Sequence, residues 1–232
     1  LIYRTIHLQH HKYTWTDKDP DLGLANKFPI TKASLRRKIW RDLSGKTGYQ
    51  RYRALMRLSA GLKPNGKGLE GKSLGQCVRT FARMQKGFLI TNGILLAACT
   101  IAGRPDAFFL LWWLPALTGY SLVLRIRNIA EHAMVPDTTD ELLQTRTTLA
   151  PWWVRFFMAP HNVNYHLEHH IYMWIPQYNL PKVFDLFEQR GGYENACIER
   201  EGYLHVLRLA ASKQTEDTTP RERASVLPFS GG

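Results

Sequence analysis

Six of the nine histidines in this 232-residue chain fall in two copies of one pattern, His7-Leu8-Gln9-His10-His11 and His166-Leu167-Glu168-His169-His170. On a helix, positions i, i+3 and i+4 share a face, so each copy presents three imidazoles to one spot. Imidazole is the commonest protein ligand for iron, zinc and copper. Six converging imidazoles exceed the usual set of about four around one structural zinc ion, so two faces brought together call for two metal ions. A lone histidine is ordinarily a surface or hydrogen-bonded core residue, and His205 is read that way. Six clustered imidazoles without a metal would instead compete for protons or leave buried nitrogens unpaired.

Composition narrows the setting of these residues. The net charge of +12 is concentrated: residues 27 to 86 carry sixteen Lys or Arg against Asp42 and Glu70, and the rest of the chain is slightly acidic. A basic segment of this kind invites a nucleic-acid reading. It leads directly into apolar sequence, however, where basic residues mark the cytoplasmic side of a membrane and attract anionic lipid. Leu35, Ile39 and Leu43 with Trp40, then Tyr52, Leu55 and Met56, repeat at helical spacing among the cations, as in interfacial amphipathic helices. Nucleic acid is therefore not expected as a partner. Cys77, Cys99 and Cys197 have no metal-ligand spacing, so neither disulfides nor thiolate metal sites are expected.

Two uncharged runs, 87–103 and 107–124, flank the turn Arg104-Pro105-Asp106. Each approaches the ~20 residues needed to cross a bilayer. Arg79, Arg83 and Lys86 precede the first run, and Arg125 and Arg127 follow the second, which favours a spanning hairpin with both ends cytoplasmic. The two histidine boxes, one on each side of the hairpin, then face the same compartment. A single crossing would separate them.

Past the second run the chain reads Arg127-Asn128-Ile129-Ala130-Glu131-His132, which places Asn128 and His132 on one face if the helix continues. His132 becomes a seventh imidazole and Asn128 a carboxamide suited to holding a metal-bound water. Glu131 and Glu168, each beside a histidine, are read as orienting imidazoles from behind, as is His161. Asp17-Lys18-Asp19-Pro20-Asp21 opens like a calcium loop, but Leu22 replaces the required glycine and Phe28 the bidentate glutamate. Asp19 and Asp21 are left to buttress the first box. Neither box is His-Glu-x-x-His, which disfavours a zinc protease. Pro181 and Gly191-Gly192 bracket a helix with Val183, Phe184 and Phe187 as its apolar stripe, and a short helix is expected from Tyr203 to Leu209. From residue 212 the polar composition reads as a disordered tail.

The chain resembles the membrane fatty acid desaturase and hydroxylase superfamily. The resemblance runs from His7 to about Leu209: a His-x-x-His-His box followed by Asp19-Pro20-Asp21, a membrane hairpin, Asn128 four residues before His132, and a final His-x-x-His-His followed by Ile175-Pro176 and Leu180-Pro181. It implies an all-α fold, a membrane hairpin carrying a cytoplasmic helical cap, as one domain over residues 1–211. It implies a multi-pass membrane protein, with a bacterial inner membrane as the expected setting. It also implies a non-haem di-iron centre held by His7, His10, His11, His132, His166, His169 and His170, with Asn128 acting through water. The expected activity is oxygen-dependent insertion of a double bond into an acyl lipid or acyl thioester. The family carries a further His-x-x-x-His box and an earlier hairpin that this sequence lacks, so the chain is expected to be an N-terminal truncation with an incomplete site.

Breaking an alkyl C–H bond needs a redox metal, which zinc is not. The chain has neither Cys-x-x-Cys-His nor a Gly-x-Gly-x-x-Gly run, so an external electron donor of ferredoxin, rubredoxin or cytochrome b5 type is expected. A hydroxylase or carotenoid-modifying oxygenase, a zinc-dependent membrane hydrolase and a non-catalytic metal-binding protein are the alternatives.

Overall fold

The computed structural model describes residues 2–214, and it is mostly helical. Of the expected polar tail, residues 215–232 lie outside the described residues. The first box lies on the helix Ile2–Tyr13 and the second on the short helix His166–Ile171. Between them the helix Gly119–His132 forms the hub, and its lower half, Ile129, Ala130 and Ala133 just beyond, is almost fully buried. These residues pack against Val206 and Ala210 of the C-terminal helix Tyr203–Ala210, with Ala25, Leu35 and Ala159 closing the core. Small side chains at Ala130, Ala133 and Ala210 let the two backbones approach closely, so His132 stands on one of the most tightly packed parts of the chain.

The basic segment forms two helices, Lys32–Leu43 and Lys46–Ser59. Thr31 caps the first by accepting from the Ser34 amide. The first is pinned to the hub and the second to the turn just before it. Asp42, fully buried, bonds the Arg125 guanidinium through both oxygens, one contact being Arg125 Nη2 to Oδ1 at 2.8 Å. Arg51 donates to the Ala116 carbonyl at 3.0 Å. Leu35 and Ile39 pack into the core rather than facing an interface, whereas Trp40 and Leu43 are exposed.

The hairpin differs in form from the sequence expectation. The expected span 87–103 is the helix Lys86–Ile101, which at 16 residues extends about 24 Å, less than the ~30 Å hydrocarbon core. It passes as a span only together with Leu74–Met84, from which it is bent by 76°. The expected span 107–124 lies within a longer run, Pro105–His132, of 28 residues. That run is π-helical over Phe108–Trp113 and is interrupted at Thr118, shortly after Pro115, whose ring nitrogen has no proton for the ladder. Among the described residues, one helix is therefore long and apolar enough to cross a membrane, or two if the bent pair is counted as one span. Trp112 Nε1 donates to Asn92 Oδ1 at 3.2 Å and ties the two arms together.

The only described departures from helix and loop that form a sheet are two-residue strands, Thr147–Thr148 and Ile198–Glu199, paired in parallel. The helix expected after Pro181 is Leu180–Gln189, with Phe184 buried, and Gly191 adopts the left-handed conformation just past its end.

Gly48 shows how tightly the basic helices seat on the hairpin. A Cβ there would lie 2.0 Å from the Leu117 carbonyl oxygen and 2.6 Å from its Cα. Gly48→Ala is expected to destabilise the protein by about 1–3 kcal/mol, read as a lower midpoint of thermal unfolding in detergent. Gly75→Ala, where a Cβ would meet nothing within 4 Å, is expected to leave that midpoint unchanged or raise it.

Candidate metal centre

All seven histidines of the two boxes and the hub helix meet at one place, across separations of up to 162 residues. They form two groups. His10, His132, His166 and His170 offer nitrogens that all lie within 4.8 Å of one another, and so do His7, His11 and His169. Within the first group, His132 Nε2 is 3.2 Å from His10 Nε2 and 2.8 Å from His166 Nε2. Within the second, the three Nε2 atoms make a triangle with edges of 3.0, 3.1 and 3.2 Å. The groups adjoin, because the His11 and His170 rings stack with centroids 4.2 Å apart.

Protons cannot satisfy the triangle. Each neutral Nε2 either carries a hydrogen or presents a lone pair. Of three mutually contacting atoms, at least two must be in the same state, so at least one edge sets donor against donor or lone pair against lone pair. Extra protons do not relieve the conflict. Burial, then the neighbouring His169 charge, pushes His7 down to about 4 and His11 down to about 3. Burial also holds His169 below the ordinary histidine value, and His166 and His170 well below it. At neutral pH these imidazoles are uncharged with lone pairs free, and His170 Nε2 is buried with no hydrogen-bond partner. A cation on the face of each group accepts several lone pairs at once. With a metal–imidazole bond of about 2.1 Å, two ligands at right angles lie about 3.0 Å apart, so the donor set and its edges fit a metal ion.

The supporting residues divide more sharply. Asp19 bonds His10 Nδ1 at 2.8 Å, and its oxygens also accept from the backbone amides of Trp15 and Asp21. Burial opposes its ionisation, but the bond to His10 and the two amides outweigh burial and hold the carboxyl below its ordinary value. An ionised Asp19 keeps the His10 proton on Nδ1 and leaves Nε2 free for a metal. Asp21 contacts Asp19 only through its own amide, and burial pushes its carboxyl up. Glu131 lies 3.9 Å from His166 Nδ1 and bonds Arg127 at 3.0 Å.

Two residues expected behind the imidazoles go elsewhere. Glu168 is buried, but its oxygens bond Thr147 Oγ1 at 2.5 Å and the Tyr193 hydroxyl, so it fastens the second box to the strand pair. The i+2 position that puts it between box histidines also turns it to the opposite face of the helix. His161 is exposed on a one-turn segment in left-handed conformation, beside Trp152, Arg155 and Phe156 in a surface cleft. Asn128 has a buried Oδ1 without a partner, and it lines a cavity of about 120 Å³ with Thr47, Arg51, Ser121 and Arg125. Thr47 Oγ1 is buried and unpartnered as well, so the cavity has polar groups able to hold water.

Arg146 is the residue that the motifs do not announce. It is 6 % exposed, and its guanidinium donates to the carbonyls of Ala130, Ala133 and Met134 at 2.9–3.1 Å. Its backbone amide donates to the Glu131 carbonyl. These bonds satisfy the open C-terminal end of the hub helix and fix the turn that carries His132. Next to it, Thr147 Oγ1 accepts from the Leu167 amide at the start of the second-box helix. One short strand thus connects the supports of His132 and of the second box.

Asp19→Asn preserves shape but removes the charge that fixes the His10 tautomer. Metal affinity measured by chelator competition is expected to fall 10- to 100-fold with helicity by circular dichroism unchanged. Unchanged affinity would remove Asp19 from the support of the centre.

No curated protein and no solved structure matches the chain. The family model described as fatty acid desaturase matches residues 1–200, a stretch that contains both boxes and the hub helix. The protein is therefore a member of the fatty acid desaturase family.

Proposed function

We propose that this protein is a membrane-bound, oxygen-dependent acyl-lipid desaturase whose seven imidazoles hold two iron ions, within one desaturase-like domain over residues 1–211. The observation that carries the reading is the sorting of the histidines into adjoining groups of four and three. Nitrogens that all lie within 4.8 Å of one another in each group leave room for one ion at each, and an all-imidazole donor set suits a redox metal such as iron. In this reading His10, His132, His166 and His170 hold one ion and His7, His11 and His169 the other. Iron at these positions would supply the oxygen-activating redox chemistry needed to remove hydrogen from an unactivated alkyl chain.

The chain's own residues then have definable tasks. Asp19 keeps the proton of His10 on Nδ1, and the neutral state of the buried imidazoles presents lone pairs at physiological pH. Arg146 and Thr147 hold His132 and the second box in register. Asn128 supplies a carboxamide oxygen to the polar cavity beside Thr47, where it would position water.

Topology follows from the same contacts. His11 and His169 lie on opposite sides of the hairpin in sequence, yet their Nε2 atoms are 3.0 Å apart. This contact supports placing both boxes on one side of any membrane that the intervening chain crosses. If Pro105–His132 crosses, the bent pair Leu74–Ile101 provides the opposing crossing. Arg79, Arg83, Lys86, Arg125 and Arg127 at the outer ends favour the cytoplasmic side. Substrate enters as an acyl lipid or thioester, with oxygen and an external electron donor.

The test is product analysis by mass spectrometry in membranes that contain the protein and an electron donor. A mass loss of two hydrogens that requires oxygen is expected. A gain of oxygen would identify a hydroxylase, and activity without oxygen in protein holding only zinc would overturn the desaturase reading. His169→Ala is expected to abolish product while the protein remains membrane-inserted, and retained activity would remove His169 from the site.

A further inference from the structure

The helix Trp152–Met158 has the sequence Trp-Trp-Val-Arg-Phe-Phe-Met, and its large aromatic side chains point outward. Trp152 is 73 % exposed, Trp153 56 %, Phe156 68 % and Phe157 66 %. At 100° per residue, positions 152, 153, 156 and 157 form one face, while Val154 packs against the core and Ala159 closes the far end. Phe156 and Phe157 meet edge to face with centroids 5.0 Å apart, which keeps the apolar surface continuous. A contiguous aromatic patch of this kind on a one-helix face is not ordinary solvated surface.

The patch has a definite depth. Trp153, Val154 and Met158 line an apolar cleft of about 390 Å³ together with Ile126, Tyr203 and Leu207. Ile126 sits between Arg125 and Arg127, the cations at the end of the apolar part of the long helix. The aromatic helix therefore lies beside that helix at the level where lipid tails give way to headgroups. Its charge agrees with this placement: no Asp or Glu occurs between Glu141 and Glu168, and the only Lys or Arg residues there are Arg146 and Arg155. An exposed aromatic face whose helix carries Arg155 as its one charged residue, with Glu201 as the acidic side chain at the adjoining cleft, is the chemistry of an interfacial helix.

We propose that Trp152–Met158 is a membrane foot, a helix lying in the lipid–water interface of the leaflet entered by the long helix, and a lipid contact additional to the hairpin. It rests on the reading that Pro105–His132 spans. The foot leads through Pro160–Asn162 to the second box, and Asn162 Nδ2 donates to the Gln177 carbonyl just beyond that box. Anchoring it holds the second box, and with it three of the seven clustered imidazoles, at a fixed height above the lipid.

Photocrosslinking separates the two levels of this claim. Benzoylphenylalanine is placed at Phe157, at Leu111 on the exposed face of the long helix, or at the exposed Asp137 beyond the His132 end of the hub helix, in protein reconstituted into phosphatidylcholine and phosphatidylglycerol nanodiscs. After irradiation, mass spectrometry of the digested chain is expected to find lipid adducts at 157 and 111 in comparable yield and none at 137. A lipid adduct at 111 with none at 157, or with crosslinks from 157 to protein, would overturn the foot and leave the span standing. No lipid adduct at either position would overturn the spanning reading and the foot with it.

Discussion

Three imidazole nitrogens in mutual contact at 3.0–3.2 Å cannot all be satisfied by protons, and this constraint organises the rest of the molecule. One edge of the triangle always opposes like with like. A second group of four lies against it, with His170 Nε2 buried and unpartnered. Burial depresses the proton affinity of these rings, so charging them is not an escape. The arrangement is costly as a bare cluster and favourable around cations, so it could hold metal ions.

Holding such a cluster together takes rigid supports from several parts of the chain. The hub helix is fixed at both ends of its Arg125–His132 stretch. Asp42 meets Arg125 near the apolar boundary, and Arg146 closes the carbonyls at the His132 end. Asp19 fixes the first box to its following turn, where Trp15 Nε1 also donates to the Gln144 carbonyl at 2.7 Å. Thr147 and Glu168 fasten the second box to the strand pair. The imidazoles are thus presented by packed and hydrogen-bonded backbone.

Much of the imidazole cluster was legible in the sequence, because a helix converts i, i+3 and i+4 spacing directly into a shared face. That rule places His7, His10 and His11 together, then His166, His169 and His170, and it also reaches His132. The partition into four and three was not legible. It depends on the relative rotation of two helices, Ile2–Tyr13 and His166–Ile171, far apart in the sequence, which no local pattern encodes. The same face rule explains why proximity in sequence misled for Glu168, which projects away from its histidine neighbours toward Thr147 and Tyr193. His161 lies on a left-handed turn whose direction spacing does not predict. Arg146 has no motif at all, since its role is defined by three carbonyls on a different element. The apolar runs were visible by composition, but the 76° bend and the π-helical stretch depend on packing and on Pro115.

The central claim is that the two groups of imidazoles are two distinct metal sites. Mössbauer spectroscopy of membrane-purified protein loaded anaerobically with ⁵⁷Fe tests it most directly. Two quadrupole doublets of equal area, one for the four-imidazole site and one for the three-imidazole site, are the predicted result. A single doublet from one iron per chain, or protein that takes up zinc and excludes iron, would contradict it.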